Sequence, residues 1–349
     1  MKNALIAAAS ASAALASPLC AQAQSSVTLY GILDTSVEHF SFGRTATRPS
    51  GSLTAMTGDT SRFGFRGIED LGGGLRAYFK LEAGFQSDTG APTSAAAYFN
   101  RETYVGIGDA RLGALQLGSQ WAPGLLMSLK VDPFTRFGVG GQYTLLQGVR
   151  GYQNRYENTV QYISPDIGGF TARLLASASE GAATGNSYSA SLEYAKGPLY
   201  VGLVYDMAKA SAASIGLSGS PRTSRTASLG ASYDLEVAKL GAWYQVNRID
   251  TLPDARGYML GLMVPVGAGE LRASYARRSG AGANASLVAL GYGHYLSKRT
   301  QLYANVGRLD NKGSAAFRMG PATAEQAAAG LPFAGQDTTG TQFGIRHYF

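Results

Sequence analysis

The chain has 349 residues, a formal net charge of +7, 46 Gly, 20 Tyr and 14 Phe, but a single Cys. Its basic residues are spread along the chain instead of forming a cluster, so the charge does not indicate a nucleic-acid partner. No stretch beyond the N-terminal segment approaches the roughly eighteen apolar residues of a spanning helix, which excludes a helical membrane protein.

The first 23 residues have the form of a secretory signal. Lys2 precedes an apolar run of small residues at 4–16, and AQA at 21–23 is a small-x-small cleavage site. The apolar run is too short for a transmembrane anchor. Cys20 lies inside this segment, so we expect the exported chain to lack disulfides and to depend on backbone pairing and packing.

The segment 75–86 shows a two-residue period most clearly. Alternate residues from Leu75 to Phe85 are apolar, while Arg76, Lys80 and Glu82 fall on the other face. A helical reading leaves no apolar stripe, so the pattern predicts a strand. About sixteen segments of this kind follow one another, each of roughly the length that crosses a bilayer when tilted. They are 27–40, 62–68, 75–86, 100–108, 114–120, 156–163, 169–179, 187–195, 199–208, 226–235, 237–248, 257–266, 270–277, 286–296, 300–309 and 340–349.

The connections between these segments alternate between short and long. Short, turn-rich links occur at 69–74, 109–113, 164–168, 196–198, 235–236, 267–269 and 297–299, and longer ones at 41–60, 87–99, 121–154, 180–186, 209–225, 249–256, 278–285 and 310–339. Such sorting is typical of an up-and-down barrel with turns at one rim and loops at the other. Because lipid does not tolerate an open sheet edge, the last strand must pair with the first. Residues 24–349 are therefore predicted to form an all-β, sixteen-stranded antiparallel transmembrane β-barrel.

The third long connection, residues 121–154, mixes apolar, aromatic, glycine and charged residues without a period. A connection of this length with no pattern of its own is usually functional or disordered. We expect this third loop to fold inward and to set what passes through the barrel.

Several motifs resemble those of the Gram-negative general porins of the β-proteobacterial type. They are SSVTLYG at 25–31, SRFGFRGIEDLGGGLRAYFKLEAGF at 61–85, NRETYVGI at 100–107, RYENTVQYISP at 155–165, LSKRTQLYA at 296–304 and FGIRHYF at 343–349. The resemblance spans essentially the whole exported chain. It implies an outer-membrane homotrimer, in contact with lipid and lipopolysaccharide, that needs no cofactor. It also implies passive diffusion of small hydrophilic solutes and ions after Sec-type export.

The residues that matter in such a channel shape an electrostatic field. The predicted constriction comprises Arg62, Arg66, Arg76, Lys80 and Glu102 on strands and Lys130, Asp132 and Arg136 in the third loop. Within the loop, Lys130, Arg136 and Arg150 outnumber Asp132. The four strand cations are expected to form a basic ladder that faces the loop and favours anions. The alternative, that a wet lumen carries charges of both signs without selecting, stays open.

Two positions depart from the family pattern. Gly118-Ser119-Gln120 replaces the usual Gly-Arg-Gln, which is expected to remove a basic side chain near the pore. The usual acidic Pro-Glu-Phe-Gly turn of the third loop is also missing.

Other functions find less support in the sequence. A barrel hydrolase would have to use His39, His294 or His347, and no nucleophile elbow, phosphate loop or zinc-binding spacing is present. We therefore predict no enzymatic activity, no metal and no cofactor. An adhesin that uses the long connections at 209–225 and 310–339 remains the alternative.

Overall fold

The computed structural model describes residues 26–147, 152–180, 186–210, 218–280 and 282–349. The expected signal at 1–23 and Arg150 lie outside the described residues. The strands are β1 (Ser26–Phe42), β2 (Gly51–Thr57), β3 (Arg62–Gly72), β4 (Leu75–Gly84), β5 (Glu102–Asp109), β6 (Gly113–Trp121), β7 (Arg155–Ile163), β8 (Phe170–Ser177), β9 (Ser187–Lys196), β10 (Leu199–Ala210), β11 (Arg222–Asp234), β12 (Lys239–Ile249), β13 (Ala255–Val266), β14 (Gly269–Gly280), β15 (Ala283–Tyr295), β16 (Thr300–Gly313) and β17 (Thr338–Tyr348). Two helices, α1 (Pro123–Val131) and α2 (Thr323–Ala328), and a π-helical turn (Tyr143–Gln147) lie in the connections.

The strands form one closed antiparallel sheet. Except for β2 and β3, each strand pairs with its neighbour in sequence, and β17 returns to β1 in a register that runs from Ile32 opposite Tyr348 to Phe42 opposite Thr338. β2 and β3 both pair with the other edge of β1, one along each half of it. These two strands share one position, so the 17 strands make a ring of sixteen positions. The prediction of a closed sixteen-stranded barrel is confirmed.

The two faces of the sheet differ in polarity. On β1, Leu33 and Val37 point outward and are 46% and 44% exposed, whereas Asp34 and Glu38 point inward and are 0% exposed. This alternation of apolar outside and polar inside is the pattern of a barrel in lipid. Neither described helix is long and apolar enough to cross a membrane.

A hydrophobic core lies inside the ring. It joins Met127, Val131 and Leu146 of the connection between β6 and β7 to wall residues such as Trp243 and Met259. The interior of the barrel is thus partly packed, and a polar passage has to run beside this core.

Several predicted connections differ from the structure in their bounds or content. The loop expected at 41–60 is shortened because β1 extends to Phe42 and β2 occupies Gly51–Thr57. The connection expected at 278–285 is nearly absent, since β14 runs to Gly280 and β15 starts at Ala283. The ladder continues there through polar residues because backbone pairing needs no apolar side chains beyond the bilayer. The connection expected at 310–339 contains α2.

Candidate functional site

The third loop, residues 122–154, joins β6 to β7 and crosses to the opposite side of the ring. α1 begins with Pro123 in its first turn, where the missing N–H costs no helical hydrogen bond. The ends of the loop are tied together by the Ala122 N–H, which donates to the Asn154 carbonyl over 3.0 Å. α1 contacts β9 to β12, and the π-helical turn contacts β13 to β15. We call the inner faces of β9–β16 the far wall and those of β3–β8 the near wall.

Glycines on the far wall let the loop backbone approach closely. A Cβ atom at Gly241 would lie 1.9 Å from the Val131 carbonyl oxygen, and one at Gly257 would lie 2.2 Å from Cδ2 of Leu146. Because the contact at Gly241 is with backbone, only glycine fits there without a shift of the loop, whereas at Gly257 the leucine side chain could move. Met127, which is fully buried, packs against the same wall.

Polar side chains of the far wall hold the backbone of the loop in place. The Gln245 amide donates to the Leu146 carbonyl over 2.7 Å, and the Ser274 hydroxyl donates to the Gly140 carbonyl over 3.2 Å. Because buried carbonyls need partners, these bonds fix the path of the loop as well as its packing.

Asp132 organises the turn that follows α1. Its carboxylate accepts the backbone N–H groups of Phe134, Arg136 and Gln142 over 2.9, 2.9 and 3.0 Å. Burial raises the pKa of Asp132 to about 6, although the three N–H donors act in the opposite direction. The side chain is therefore ionised at neutral pH and serves the architecture of the loop.

Arg136 lies in the same turn with a left-handed backbone, at φ 65°. Its guanidinium carbon lies 5.0 Å from the ring centre of Tyr143, and one of its NH2 groups donates to the Asn154 side chain over 2.5 Å. Burial lowers the pKa of Arg136 to about 10, so the group stays cationic at neutral pH. Within the described residues its Nε has no hydrogen-bond partner.

The near cavity, of about 370 Å³, lies between the third loop and the near wall. Loop residues such as Leu125 and Leu129 form one side of it. The charged groups that line it are Arg62, Lys80, Glu82, Arg101, Glu102, Arg136 and Arg173. Five cations thus face two carboxylates, and the cavity carries an excess of three positive charges.

Glu82 is the centre of the ion pairs in the near cavity. Its oxygens lie 2.7 Å from Arg101 Nε, 3.4 Å from Lys80 Nζ and 3.6 Å from Arg62 Nε. The hydroxyl of Tyr30 also donates to it, over 2.9 Å. Three cations therefore share one carboxylate, so their field is only partly neutralised.

Lys80 also forms an ion pair with Glu102, which lies beside it on β5. Lys80 thus holds contacts with both carboxylates of the near cavity, and Glu102 has a defined partner in the structure.

Trp121, the last residue of β6, lies close to the guanidinium groups of Arg101 and Arg155. The guanidinium carbons of Arg101 and Arg155 are 5.0 and 4.4 Å from its ring centre. The face of an indole attracts cations, so the ring lets two like charges stand close together. The sequence-based reasoning did not find Trp121 or Tyr30, and neither has a charged residue within two positions in the sequence that could have pointed to it.

The far cavity, of about 290 Å³, lies between the third loop and strands β12 to β17. Its charged lining consists of Lys130, Asp132, Lys239, Glu270, Arg272 and Arg346. Four cations here face two carboxylates. The Nζ atom of Lys130 lies 5.0 Å from the ring centre of Tyr200.

The mouth cavity, of about 450 Å³, opens near the rim formed by the short turns. Its charged lining consists of Arg66, Arg76 and Lys80, and none of the described residues of the third loop lines it. The predicted ladder is thus divided between two spaces. Arg62 and Lys80 reach the near cavity, whereas Arg66 and Arg76 lie in the mouth cavity, and only Lys80 belongs to both.

Ser119 does not stand where the family pattern led us to expect. It stands opposite Thr103 in the β5–β6 ladder, whereas the neighbouring Tyr104 and Gln120 line the near cavity. The β6–β7 pairing is irregular between Gly118 and Gln120, and Ser119 is not among the residues that line the near cavity.

The three histidines lie beside hydroxyl groups. His39 Nδ1 lies 2.8 Å from the Thr54 hydroxyl, and His347 Nδ1 lies 2.9 Å from the Thr300 hydroxyl. His294 lies 3.3 Å from the hydroxyl of its neighbour Tyr292. In the part of the chain that the structure describes, no group of His, Cys, Asp or Glu is arranged to hold a metal ion.

The closed ring, with an apolar exterior and a charged lumen, defines the protein as a transmembrane β-barrel channel. Residues 7–314 match a family model described as Gram-negative porin. The chain is 35% identical to outer membrane porin protein 32 of Delftia acidovorans, with 100% of both chains covered. It is 31% identical to an outer membrane porin protein of Bordetella pertussis, with 81% of this chain and 89% of that protein covered.

A solved structure described as an anion-selective porin from Comamonas acidovorans is also similar. It superimposes with a TM-score of 0.79 at 32% identity and covers 93% of this chain and 100% of its own. The chain belongs to the Gram-negative porin family. It is an outer-membrane channel for passive diffusion and not an enzyme, which confirms the predicted family, function and location.

Proposed function

We propose that the channel of this porin prefers anions. The observation that carries the proposal is the charge of the lumen, where cations outnumber carboxylates in each of the three cavities. Narrow, partly dehydrated passages with an excess of one sign of charge concentrate ions of the opposite sign. The similar porin from Comamonas acidovorans is described as anion-selective, which supports the same reading.

We further propose that the near cavity is the constriction. The third loop is anchored to the far wall through Gln245 and Ser274, and of the cavities on its two sides the near cavity is the larger, at about 370 Å³ against about 290 Å³. Arg62, Lys80, Glu102 and Arg136 from the predicted set then line the passage, together with Glu82 and Arg101. Lys130 and Asp132 lie on the other side of the loop, and Asp132 acts by holding its turn.

Reversal potentials across a planar bilayer under a KCl gradient test the anion preference. We expect the sign that corresponds to chloride passing faster than potassium, and clear cation preference would overturn the proposal. Liposome swelling with sugars of graded size tests the channel itself: an adhesin would give no size-limited permeability.

The assembly proposed is a homotrimer in the outer membrane, in contact with lipid and lipopolysaccharide, formed after removal of residues 1–23. The family resemblance supports the trimer, and the exposed apolar exterior supports the lipid contact. Chemical crosslinking and heat-modifiable migration on gels test the trimer, and N-terminal sequencing of the membrane form tests the cleavage.

A further inference from the structure

We propose that the mouth cavity is a second anion-binding site, separate from the constriction and selective for oxyanions, the carboxylates and phosphates, over chloride. It lies at the rim of the short turns, which in such barrels faces the periplasm. The inference rests on the proposed function because it assumes that anions reach this end of the channel.

The cations of the mouth cavity are less neutralised than those of the constriction. Among the described residues, neither Arg66 nor Arg76 forms an ion pair, and no carboxylate lines the cavity. Asp70 is the cross-strand partner of Arg76, but its carboxylate accepts the Gly72 N–H over 2.8 Å in the tight turn. The two arginines of the mouth cavity therefore keep their charge unpaired, whereas Arg62, Lys80 and Arg101 of the near cavity share Glu82.

The arrangement of Arg66 prepares the cavity for a ligand with several oxygens. Arg66 stands directly opposite Lys80 in the β3–β4 ladder, an unfavourable position for two like charges. The guanidinium carbon of Arg66 and Lys80 Nζ lie 5.2 and 5.7 Å from the ring centre of Tyr30, so one aromatic ring attracts both cations. A bound anion would relieve the remaining repulsion.

The chemistry of the guanidinium gives the selectivity. Its planar fork of N–H donors matches two oxygens of a carboxylate or phosphate, whereas chloride can accept only as a single point. A volume of about 450 Å³ leaves room for an oxyanion with part of its hydration shell. We therefore expect oxyanions to reside in the mouth cavity longer than chloride does.

Lys80 connects this site to the constriction. It lines both cavities and contacts Glu82 and Glu102 on the constriction side. An anion that leaves the constriction toward the short turns therefore meets Lys80 and then Arg66. The two sites lie in series along one path, so an occupied mouth cavity obstructs chloride.

The test is the inhibition of chloride current by inorganic phosphate at pH 8 in planar bilayers that contain the full-length porin. We expect phosphate to inhibit the wild-type channel. The phosphate concentration that halves the current should rise about tenfold in Arg66→Gln and about tenfold in Arg76→Gln. Each factor of about ten corresponds to the loss of one hydrogen bond to a charged group. Arg66→Lys, which keeps the charge and loses the fork, should fall between. Lys196→Gln with Lys298→Gln removes two exposed charges from turns at the same rim and should leave the inhibition unchanged.

The outcomes separate this inference from the proposed function. No phosphate inhibition of the wild type, or equal inhibition of the Arg66→Gln/Arg76→Gln variant, would overturn the mouth site. Reversal potentials in KCl without phosphate are measured on the same channels. Cation preference there, with phosphate inhibition that depends on Arg66, would overturn the proposed anion selectivity and leave the mouth site standing.

Discussion

The third loop meets the two walls of the barrel in opposite ways. Against the far wall, apolar side chains and backbone lie on glycines such as Gly241, beside the smaller far cavity of about 290 Å³. Toward the near wall the loop leaves a cavity of about 370 Å³ whose lining is mostly charged and polar. The far contact holds the loop, and the near gap has the larger excess of positive charge, three against two.

This difference separates stability from selectivity within one segment. The van der Waals energy between packed atoms changes steeply when their separation changes by less than about 1 Å. The far contact therefore tolerates little change in shape. The near gap is lined by long charged and polar side chains, so it tolerates changes of shape but responds to changes of charge. Substitutions on the two sides should therefore affect different measurements.

The largest effect is expected for Gly241→Val on the far wall. The added Cβ would meet the Val131 carbonyl at 1.9 Å, and because that atom is backbone the loop has to shift. We expect a loss of about 3 kcal/mol or more in stability, together with altered single-channel conductance. Gly51→Ala is the control, since a Cβ there meets nothing within 4 Å. Equal conductance in the two variants would show that the loop is not held by this contact.

Asp132→Asn should have the next largest effect. The oxygen that accepts the N–H groups of Arg136 and Gln142 would be replaced in one orientation by an NH2 donor. An unsatisfied buried N–H costs about 1–3 kcal/mol, so we expect a loss of about 3 kcal/mol in urea unfolding measured in detergent. Asp88→Asn, at an exposed carboxylate, should unfold as the wild type does. Selectivity should change little, because Asp132 does not line the near cavity.

The same carboxyl predicts a dependence on pH. Burial raises the pKa of Asp132 to about 6 in the folded loop, above its value in the unfolded chain of about 3.9. The folded state therefore binds the proton more tightly, and the contribution of this group to stability falls as pH rises from about 4 to about 6 and then levels off. The difference in thermal unfolding midpoint between the wild type and Asp132→Asn should therefore fall as pH rises from about 4 to about 6 and then stay constant. A difference that does not vary between pH 4 and 6.5 would contradict it.

The fold was largely predictable because strand period and closure follow from short-range patterns. β2 escaped detection because Gly51–Thr57 is short and carries few large apolar residues. α1 escaped for another reason. Several of its residues on different sides, including Pro123, Leu125, Met127 and Val131, are buried, so it has no polar face and no amphipathic period.

The site was predictable only in part. The two-residue period of a strand shows which face of the sheet a residue occupies, but not how far along the barrel axis it lies. Arg62, Arg66, Arg76 and Lys80 share the inner face as expected, yet their heights along β3 and β4 divide them between two cavities. The role of Asp132 depends on the N–H groups that the folded loop presents to it. No sequence pattern specifies that geometry.

The smallest effect in free energy, and the most direct test of the near gap, is expected for Glu82→Gln. The change leaves a side-chain oxygen for the Tyr30 hydroxyl but removes the charge that Arg62, Lys80 and Arg101 share. The ratio of chloride to potassium permeability should rise about fivefold, since one charge about 4 Å away in water is worth about 1 kcal/mol. Arg62→Gln should lower the ratio, and Glu325→Gln, on the exposed side of α2, should leave it unchanged. If Glu82→Gln left the ratio unchanged while Gly241→Val altered it, selectivity would depend on the position of the loop and not on the charges of the near wall.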